Sequence, residues 1–168
     1  MIFYLRGKRD DKEAYTAVVR RQIETGQETE LARVAYYIRS LAVSPDGRQL
    51  AFAGALDVTF VPSGGGERKA VRVANPDQEA IRPSGLLWTT DGRHLLFAMN
   101  DAAGKQPFEL YRLAVEADRP QKVGLAMRQI WDLSISPDGR RIAFAAPRPG
   151  ARNHDEVWVL ENLPAAQR

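Results

Sequence analysis

The sequence predicts an all-β fold in which one antiparallel sheet unit recurs along the chain. Three segments of the same pattern align without a gap: SPDGRQLAFAG at 44–54, TTDGRHLLFAM at 89–99 and SPDGRRIAFAA at 136–146. Their Asp-Gly pairs start 45 and 47 residues apart. This period is the length of one four-stranded propeller blade, and no stretch shows a sustained helical pattern with capping residues. The chain is therefore predicted to be a β-propeller.

Each copy has the chemistry of a tight β-hairpin. In Ser-Pro-Asp-Gly, proline supplies the φ near −65° that a type I turn needs, and glycine takes the left-handed conformation that closes the turn. Thr90 replaces the proline in the middle copy. The strand after the turn reads LAFA, LLFA or IAFA, so it is apolar on both faces. We expect neighbouring sheets to cover both faces of this strand in all three copies.

Two further strands complete each period. Segments rich in β-branched and aromatic residues predict a third strand at 14–23, 57–61, 108–115 and 156–160. More polar segments predict an outer fourth strand at 28–34, 68–74 and 121–126. The first 34 residues then lack the first strand of a blade, and the last 41 lack a fourth strand.

This strand count predicts a single partial propeller domain over 1–168, with about three and a half blades in an incomplete ring. The predicted blade pieces are about 1–35, 36–75, 80–127 and 128–164, followed by a disordered tail at 165–168. Propeller rings normally contain four to eight blades. We therefore expect a C-terminal piece of a larger propeller, or an assembly that associates with itself through its open blade edges.

Composition excludes several other classes. The chain has 24 Lys and Arg against 21 Asp and Glu, and this surplus is spread evenly, which argues against a nucleic-acid-binding protein. It contains no cysteine, so neither a disulfide scaffold nor a thiolate site is expected. The opening residues are apolar for too short a stretch to form a signal peptide, and no window is apolar enough to span a membrane. The sequence alone assigns no compartment.

The hairpins at 44–54 and 136–146 resemble the WD-repeat-like motif of TolB-type β-propellers. Similar blades occur in the propellers of prolyl-oligopeptidase-type peptidases and of bacterial sensor proteins, and EVWVLENLP looks like the last blade of such a sensor. The resemblance covers nearly the whole chain. It implies the propeller fold and relatives that often work outside the cytoplasm, but it implies no single activity, because members differ in the domains attached to the blades.

No motif indicates catalysis. A G-x-S-x-G elbow is absent, and Ser44, Ser84 and Ser136 are interpreted as turn residues. The glycine-rich stretches at 64–69 and 103–106 lack the spacing of a phosphate-binding loop. We therefore expect no catalytic residue and no cofactor.

No metal site is expected either. His94 and His154 lie 60 residues apart and lack the spacing of a zinc site. The cluster His154-Asp155-Glu156 and the pair Asp10-Asp11 are interpreted as solvated loops.

Two tryptophans need an explanation. Trp88 occupies a strand column that holds valine or isoleucine in the other copies, so it is predicted to fill the core. Trp131 precedes the predicted first strand of the last blade, in the position of Arg39 and Ser84. That position suggests an end of the propeller, where an exposed tryptophan would mark an interface.

These observations favour a non-catalytic module for protein–protein interaction or sensing, whose partner is a protein or peptide. The argument rests on the repeat and on the wide binding surfaces that repeat folds create. The alternative is a propeller that gates substrate to a prolyl-oligopeptidase-type serine peptidase domain absent from this chain. In that case the catalytic triad lies elsewhere, and no catalytic residue can be assigned here.

Overall fold

The computed structural model describes residues 1–9, 13–54, 56–74, 83–100, 106–148 and 155–161. These residues form fourteen β-strands and no helix. The strands are β1 Ile2–Arg9, β2 Ala14–Arg21, β3 Glu28–Val34, β4 Ser40–Val43, β5 Gln49–Ala53, β6 Asp57–Pro62, β7 Lys69–Arg72, β8 Ser84–Trp88, β9 His94–Met99, β10 Phe108–Ala114, β11 Gln121–Met127, β12 Trp131–Ile135, β13 Arg141–Pro147 and β14 Asp155–Glu161.

The strands make four sheets in which chain neighbours are sheet neighbours. Blade 1 has the order β1-β2-β3, blade 2 β4-β5-β6-β7, blade 3 β8-β9-β10-β11 and blade 4 β12-β13-β14. Every pairing is antiparallel. The first strands β4, β8 and β12 lie side by side from blade to blade. The predicted all-β partial propeller, with three strands at each end and four in each middle blade, is confirmed.

Three apolar clusters join consecutive blades. Leu50 and Phe52 of β5 face blade 1, whereas Ala51 and Ala53 face blade 3. The same division holds one period later in β9, whose Leu-x-Phe side packs on blade 2 and whose other side packs on blade 4. A strand buried on both faces is therefore the centre of each middle blade, as its apolar sequence predicts.

Three hydrogen bonds between blades 2 and 3 each span one sequence period. Leu86 N donates to Ser40 Oγ at 3.1 Å, and Trp88 Nε1 donates to the carbonyl of Ala42 at 3.3 Å. Farther out, Lys69 Nζ donates to the carbonyl of Val115 at 3.1 Å. Each of these bonds joins residues 46 positions apart. The spacing seen in the sequence is therefore the spacing of direct contacts between adjacent blades.

Some strand limits differ from the predicted ones for local reasons. The strand predicted at 14–23 ends at Arg21, because Gln22 N turns to the carbonyl of Gln27 at 2.9 Å. The strand predicted at 68–74 covers only Lys69–Arg72. The two residues that follow it, Val73 and Ala74, donate their amides to the carbonyl of Leu56 and so leave the ladder.

The first strands of blades 3 and 4 contain a bulge that sequence analysis did not predict. Register shifts occur between Ser84 and Leu87 and between Trp131 and Ser134. Within them, Gly85 has φ +63° and Asp132 has φ +54°. Trp131 is thus the first residue of β12 rather than a residue before it, and it pairs with Ala145 as Ser40 pairs with Ala53.

The expectation that the strand after each turn is covered on both faces is wrong for the last copy. In β13, Ile142 and Phe144 are buried against blade 3, but Ala143 and Ala145 are only half-buried. Among the described residues, no sheet lies beyond blade 4 to cover this second face.

Gly54 lies where a larger side chain would collide with its neighbours, so its substitution tests the packing at this position. A Cβ atom there would lie 2.6 Å from Tyr36 Cε2 and 3.0 Å from Asp57 Oδ1, the acceptor of the Tyr36 hydroxyl. We expect Gly54→Ala to lower the free energy of unfolding by about 1–3 kcal/mol, the usual cost of overpacking. Gly64→Ala is the control, because no heavy atom lies within 4 Å of a Cβ there. Urea denaturation measures both variants, and equal stabilities would contradict this account of Gly54.

Candidate functional site

The three Asp-Gly hairpins lie side by side at one end of the blades, which we call the hairpin end. A Cβ on Gly92 would contact Pro45 Cδ of the preceding hairpin at 3.8 Å. A Cβ on Gly139 would approach Thr90 Oγ1 to 2.6 Å. The hairpins of blades 2, 3 and 4 therefore form a continuous row in which Gly92 and Gly139 each lie close to the preceding hairpin.

One hydrogen-bond network recurs in all three hairpins. In blade 2, Ser44 Oγ donates to Asp46 Oδ1 at 2.6 Å and accepts from Gln49 N at 2.9 Å. Asp46 Oδ1 also accepts from Arg48 N at 3.0 Å. Thr89 and Asp91 repeat this arrangement in blade 3, and Ser136 and Asp138 repeat it in blade 4. The glycines that close the turns have φ of 71°, 67° and 71°, as predicted for a left-handed turn residue.

These contacts explain the acidity of the turn aspartates. Hydrogen bonds from Ser44 and from the Arg48 amide lower the pKa of Asp46 below its ordinary value. The bonds from Ser136 and the Arg140 amide lower the pKa of Asp138 in the same way. At Asp91 partial burial opposes the shift, but the bond from Thr89 and the amide of Arg93 still leave the pKa lowered. All three carboxylates are therefore held as anions that close turns.

A cavity of about 540 Å³ opens between the hairpins of blades 2 and 3. Its walls are the two turns and the end of β10, and they carry polar side chains of both charges. The lining residues are Ser44, Asp46, Arg48, Gln49, Gly92, Arg93, His94, Ala114, Val115 and Glu116. Because hydrogen bonds within the turns hold the backbone, the shape of this cavity is largely preorganised.

His94 stands at the start of β9, on the wall of this cavity. Partial burial and the positive charge of Arg112 lower its pKa, and the Asp91 carboxylate opposes them. The imidazole is consequently neutral at pH 7, when it can both donate and accept a hydrogen bond.

The described residues at this site supply no activated nucleophile. The hydroxyls of Ser44 and Ser136 donate to carboxylates within their own turns and accept backbone amides, so they hold structure. No group of three His, Asp or Glu side chains suited to a metal ion occurs in the described ranges. His154, Asp10 and Asp11 lie outside those ranges.

The remaining candidates from the sequence lie away from the cavity. Glu156 is in β14 and pairs with Arg148 at 3.4 Å. The glycines at 64–66 form the turn between β6 and β7, where Gly65 N donates to the carbonyl of Pro62. Trp88 fills the core as predicted, since it is buried with its ring 5.9 Å from that of Phe60.

Sequence reasoning missed the cavity and most of its polar wall. The arginines of the cavity wall could have been found from the sequence, because a basic residue follows each Asp-Gly pair: Arg48, Arg93 and Arg140. The third wall, formed by Ala114, Val115 and Glu116, comes from the end of β10 and the turn after it, which reach the site through the pairing of β10 with β9.

Comparison with known proteins agrees with this architecture. The family described as the lipoprotein LpqB beta-propeller domain matches residues 21–162. The chain belongs to this family. The match spans parts of all four blades, so the LpqB-type propeller domain accounts for most of the described structure. No curated protein sequence matches the chain significantly.

Several solved structures share the fold at low sequence identity. TolB from Acinetobacter baumannii is 16% identical with a TM-score of 0.65, and the match covers 95% of this chain and 38% of TolB. The oligogalacturonate lyase of Vibrio parahaemolyticus is 16% identical with a TM-score of 0.65, over 89% of this chain and 41% of the lyase. The tricorn protease is 11% identical with a TM-score of 0.64, over 99% of this chain and 17% of the protease.

The three structural matches are partial and concern the fold. The chain spans well under half the length of each of these three proteins. They include both TolB and an enzyme, so the shared feature is the propeller and not one activity. In the described residues, no helix is long and apolar enough to cross a membrane.

The turn aspartates make a testable link between pH and stability. Because the folded pKa of Asp46 is lowered, its anion stabilises the fold above its unfolded pKa of about 3.9, and that contribution is lost as pH falls through the folded value. We expect Asp46→Asn to be less stable than wild type at pH 7 and to lose less stability between pH 5 and about pH 2. Denaturation across this range measures both effects, and a profile parallel to wild type would contradict the assignment.

The state of His94 can be measured directly. We expect the NMR titration midpoint of its imidazole to lie below the ordinary value of about 6.5. Arg112→Gln should raise the midpoint by removing a nearby cation, whereas Asp91→Asn should lower it further by removing an anion. A midpoint that moves in the opposite direction in either variant would show that these charges do not control the imidazole.

Proposed function

We propose that this LpqB-type domain is a non-catalytic interaction module, part of a larger propeller, that binds a protein or peptide segment at its hairpin end. The single observation behind this proposal is the cavity between the hairpins of blades 2 and 3. It combines a fixed backbone with side chains that stay available to a ligand.

The electrostatics of the cavity point to the kind of segment it would take. The carboxylate of Asp46 is used by its own turn, whereas Arg48 and Arg93 are exposed on the wall. Among the described residues, neither guanidinium makes an ion pair. The acidic residue Glu116 lies on the β10 wall, so an acidic side chain of a bound segment would complement the two cations on the hairpin side of the cavity. Neutral His94 would add a hydrogen bond there.

A second candidate is a propeller that admits substrate to a peptidase domain. It is favoured by the likeness of nearly the whole chain to part of the tricorn protease. That likeness is one of fold alone, and the hydrogen-bonded serines of the hairpin end supply no hydrolytic chemistry. A gating role would predict weak binding of many peptides without preference, whereas an interaction module should select particular ones.

Selection from a random peptide display library distinguishes these candidates. We expect the 168-residue chain to enrich peptides that carry an acidic residue, and Arg93→Glu to weaken their binding at least tenfold in fluorescence anisotropy. Arg128→Glu is the matched control, because Arg128 is also exposed but follows β11 at the opposite end of blade 3. The control should bind within twofold of wild type. Failure to enrich any peptide, or equal effects of the two variants, would overturn the proposal.

A further inference from the structure

Equivalent positions in the last three blades differ sharply in exposure. Each third strand has one residue paired with the second alanine of the Leu-x-Phe-Ala pattern: Val58 with Ala53, Leu110 with Ala98 and Val157 with Ala145. Val58 and Leu110 are 0% exposed because the following blade covers them. Val157 is 77% exposed. Its surroundings are thus those of a blade junction from which the second blade is missing.

Val157 belongs to a continuous apolar surface, which we call the end face. It consists of Trp131, Ala143, Ala145, Val157 and Val159, which register places side by side on the three strands of blade 4. Val159 is 56% exposed. Trp131 takes the register position of Ser40, whose hydroxyl accepts a hydrogen bond from the first strand of the next blade. Every member of the end face therefore corresponds to a residue that meets a following blade elsewhere in the chain.

The opposite end of the chain has different chemistry. The outer face of blade 1 carries Tyr4 and Arg6, and both contact the carboxylate of Glu28. Beside them, Arg33 pairs with Glu30 at 2.8 Å and lies 4.1 Å from the centre of the Tyr15 ring. Beneath these side chains, Ala17 and Val19 are already buried. A second copy stacked head to tail would press this charged face onto the apolar centre of the end face, because the charged side chains on that side of blade 4, Arg141, Asp155 and Glu161, lie only at its two ends. The lost hydration of the central charges would not be replaced there.

The size of the end face also argues against a dimer formed by two end faces. The three strands have five, seven and seven residues, so the planar face measures at most about 14 by 23 Å, or about 320 Å². A stable interface buries about 800 Å² per partner. A surface this small becomes a stable junction only when its partner is tethered in the same polypeptide, where the effective concentration is high.

We propose that the end face is the junction for a further blade of the same polypeptide, with a bulky Leu-x-Phe pair on its second strand. The three described junctions share a bulky aliphatic residue and a phenylalanine on the second strand of the later blade. These pairs are Leu50 and Phe52 against blade 1, Leu95 and Phe97 against blade 2, and Ile142 and Phe144 against blade 3. The inference rests on the proposed function, in which this domain is part of a larger propeller. It adds that the end face is the surface that joins the domain to the rest of that propeller. It does not depend on peptide binding at the hairpin end.

The test extends the chain by one period. Ala114 and Glu161 are equivalent positions in their blades. Each is the last residue of a third strand, and each pairs with the first residue of the second strand. A second copy of residues 115–161 placed directly after Glu161 therefore supplies a fourth strand for blade 4 and a new blade in register. We expect the extended chain to unfold at a higher urea concentration than the 168-residue chain. In it, Val157→Lys should lower the equilibrium constant for folding by tenfold or more, because a buried valine would be replaced by a charge.

The controls use the same substitution where the surface stays open. Val157→Lys in the 168-residue chain, and the corresponding change in the added copy, should each alter the folding constant by less than twofold. Equal effects at the inner and the terminal position, or an added period that stays unfolded, would overturn the proposal. Sedimentation of the 168-residue chain should show a monomer, and a dimer that Val157→Lys dissociates would identify a second copy as the occupant instead. The peptide-binding measurement on the 168-residue chain tests the proposed function independently of this junction.

Discussion

The packing of one double-sided strand between two sheets holds this propeller together. The second strand of each middle blade presents leucine and phenylalanine to the blade before it, and it presents Ala51 and Ala53, or Leu96 and Ala98, to the blade after it. Both sides lose their water, so the apolar burial of each blade depends on its neighbours. The turns, the hydrogen bonds between blades and the cavity at the hairpin end all take their positions from this stacking.

The hairpin network shows how the same sequence feature serves the fold and the candidate site. The hydroxyl and carboxylate of each turn satisfy one another and the nearby amides, so they fix the backbone that frames the cavity. The arginine that follows the glycine is not used in this way and remains on the surface. Structural and ligand-facing roles are thus divided between adjacent residues of one short motif.

The sequence predicted most of the fold because the decisive signals are local. The Asp-Gly turns, the alternation around them and the period define the strands and their order without any knowledge of distant contacts. The cavity could not be predicted in this way, since Asp46 and His94 come together only when two blades stack. The same limit explains the error at Ala143 and Ala145: an apolar pattern shows that a face is suited to burial, but only the neighbouring sheet decides whether it is covered. The bulge at Asp132 was missed because a non-glycine residue gives no local sign of a left-handed conformation.

The hydrogen bonds that link residues 46 positions apart also bear on how the molecule is made. Blade 3 finds its docking surface on the segment translated just before it, so these contacts form without waiting for a distant part of the chain. Assembly can therefore proceed in the direction of synthesis, each completed unit serving as the template for the next.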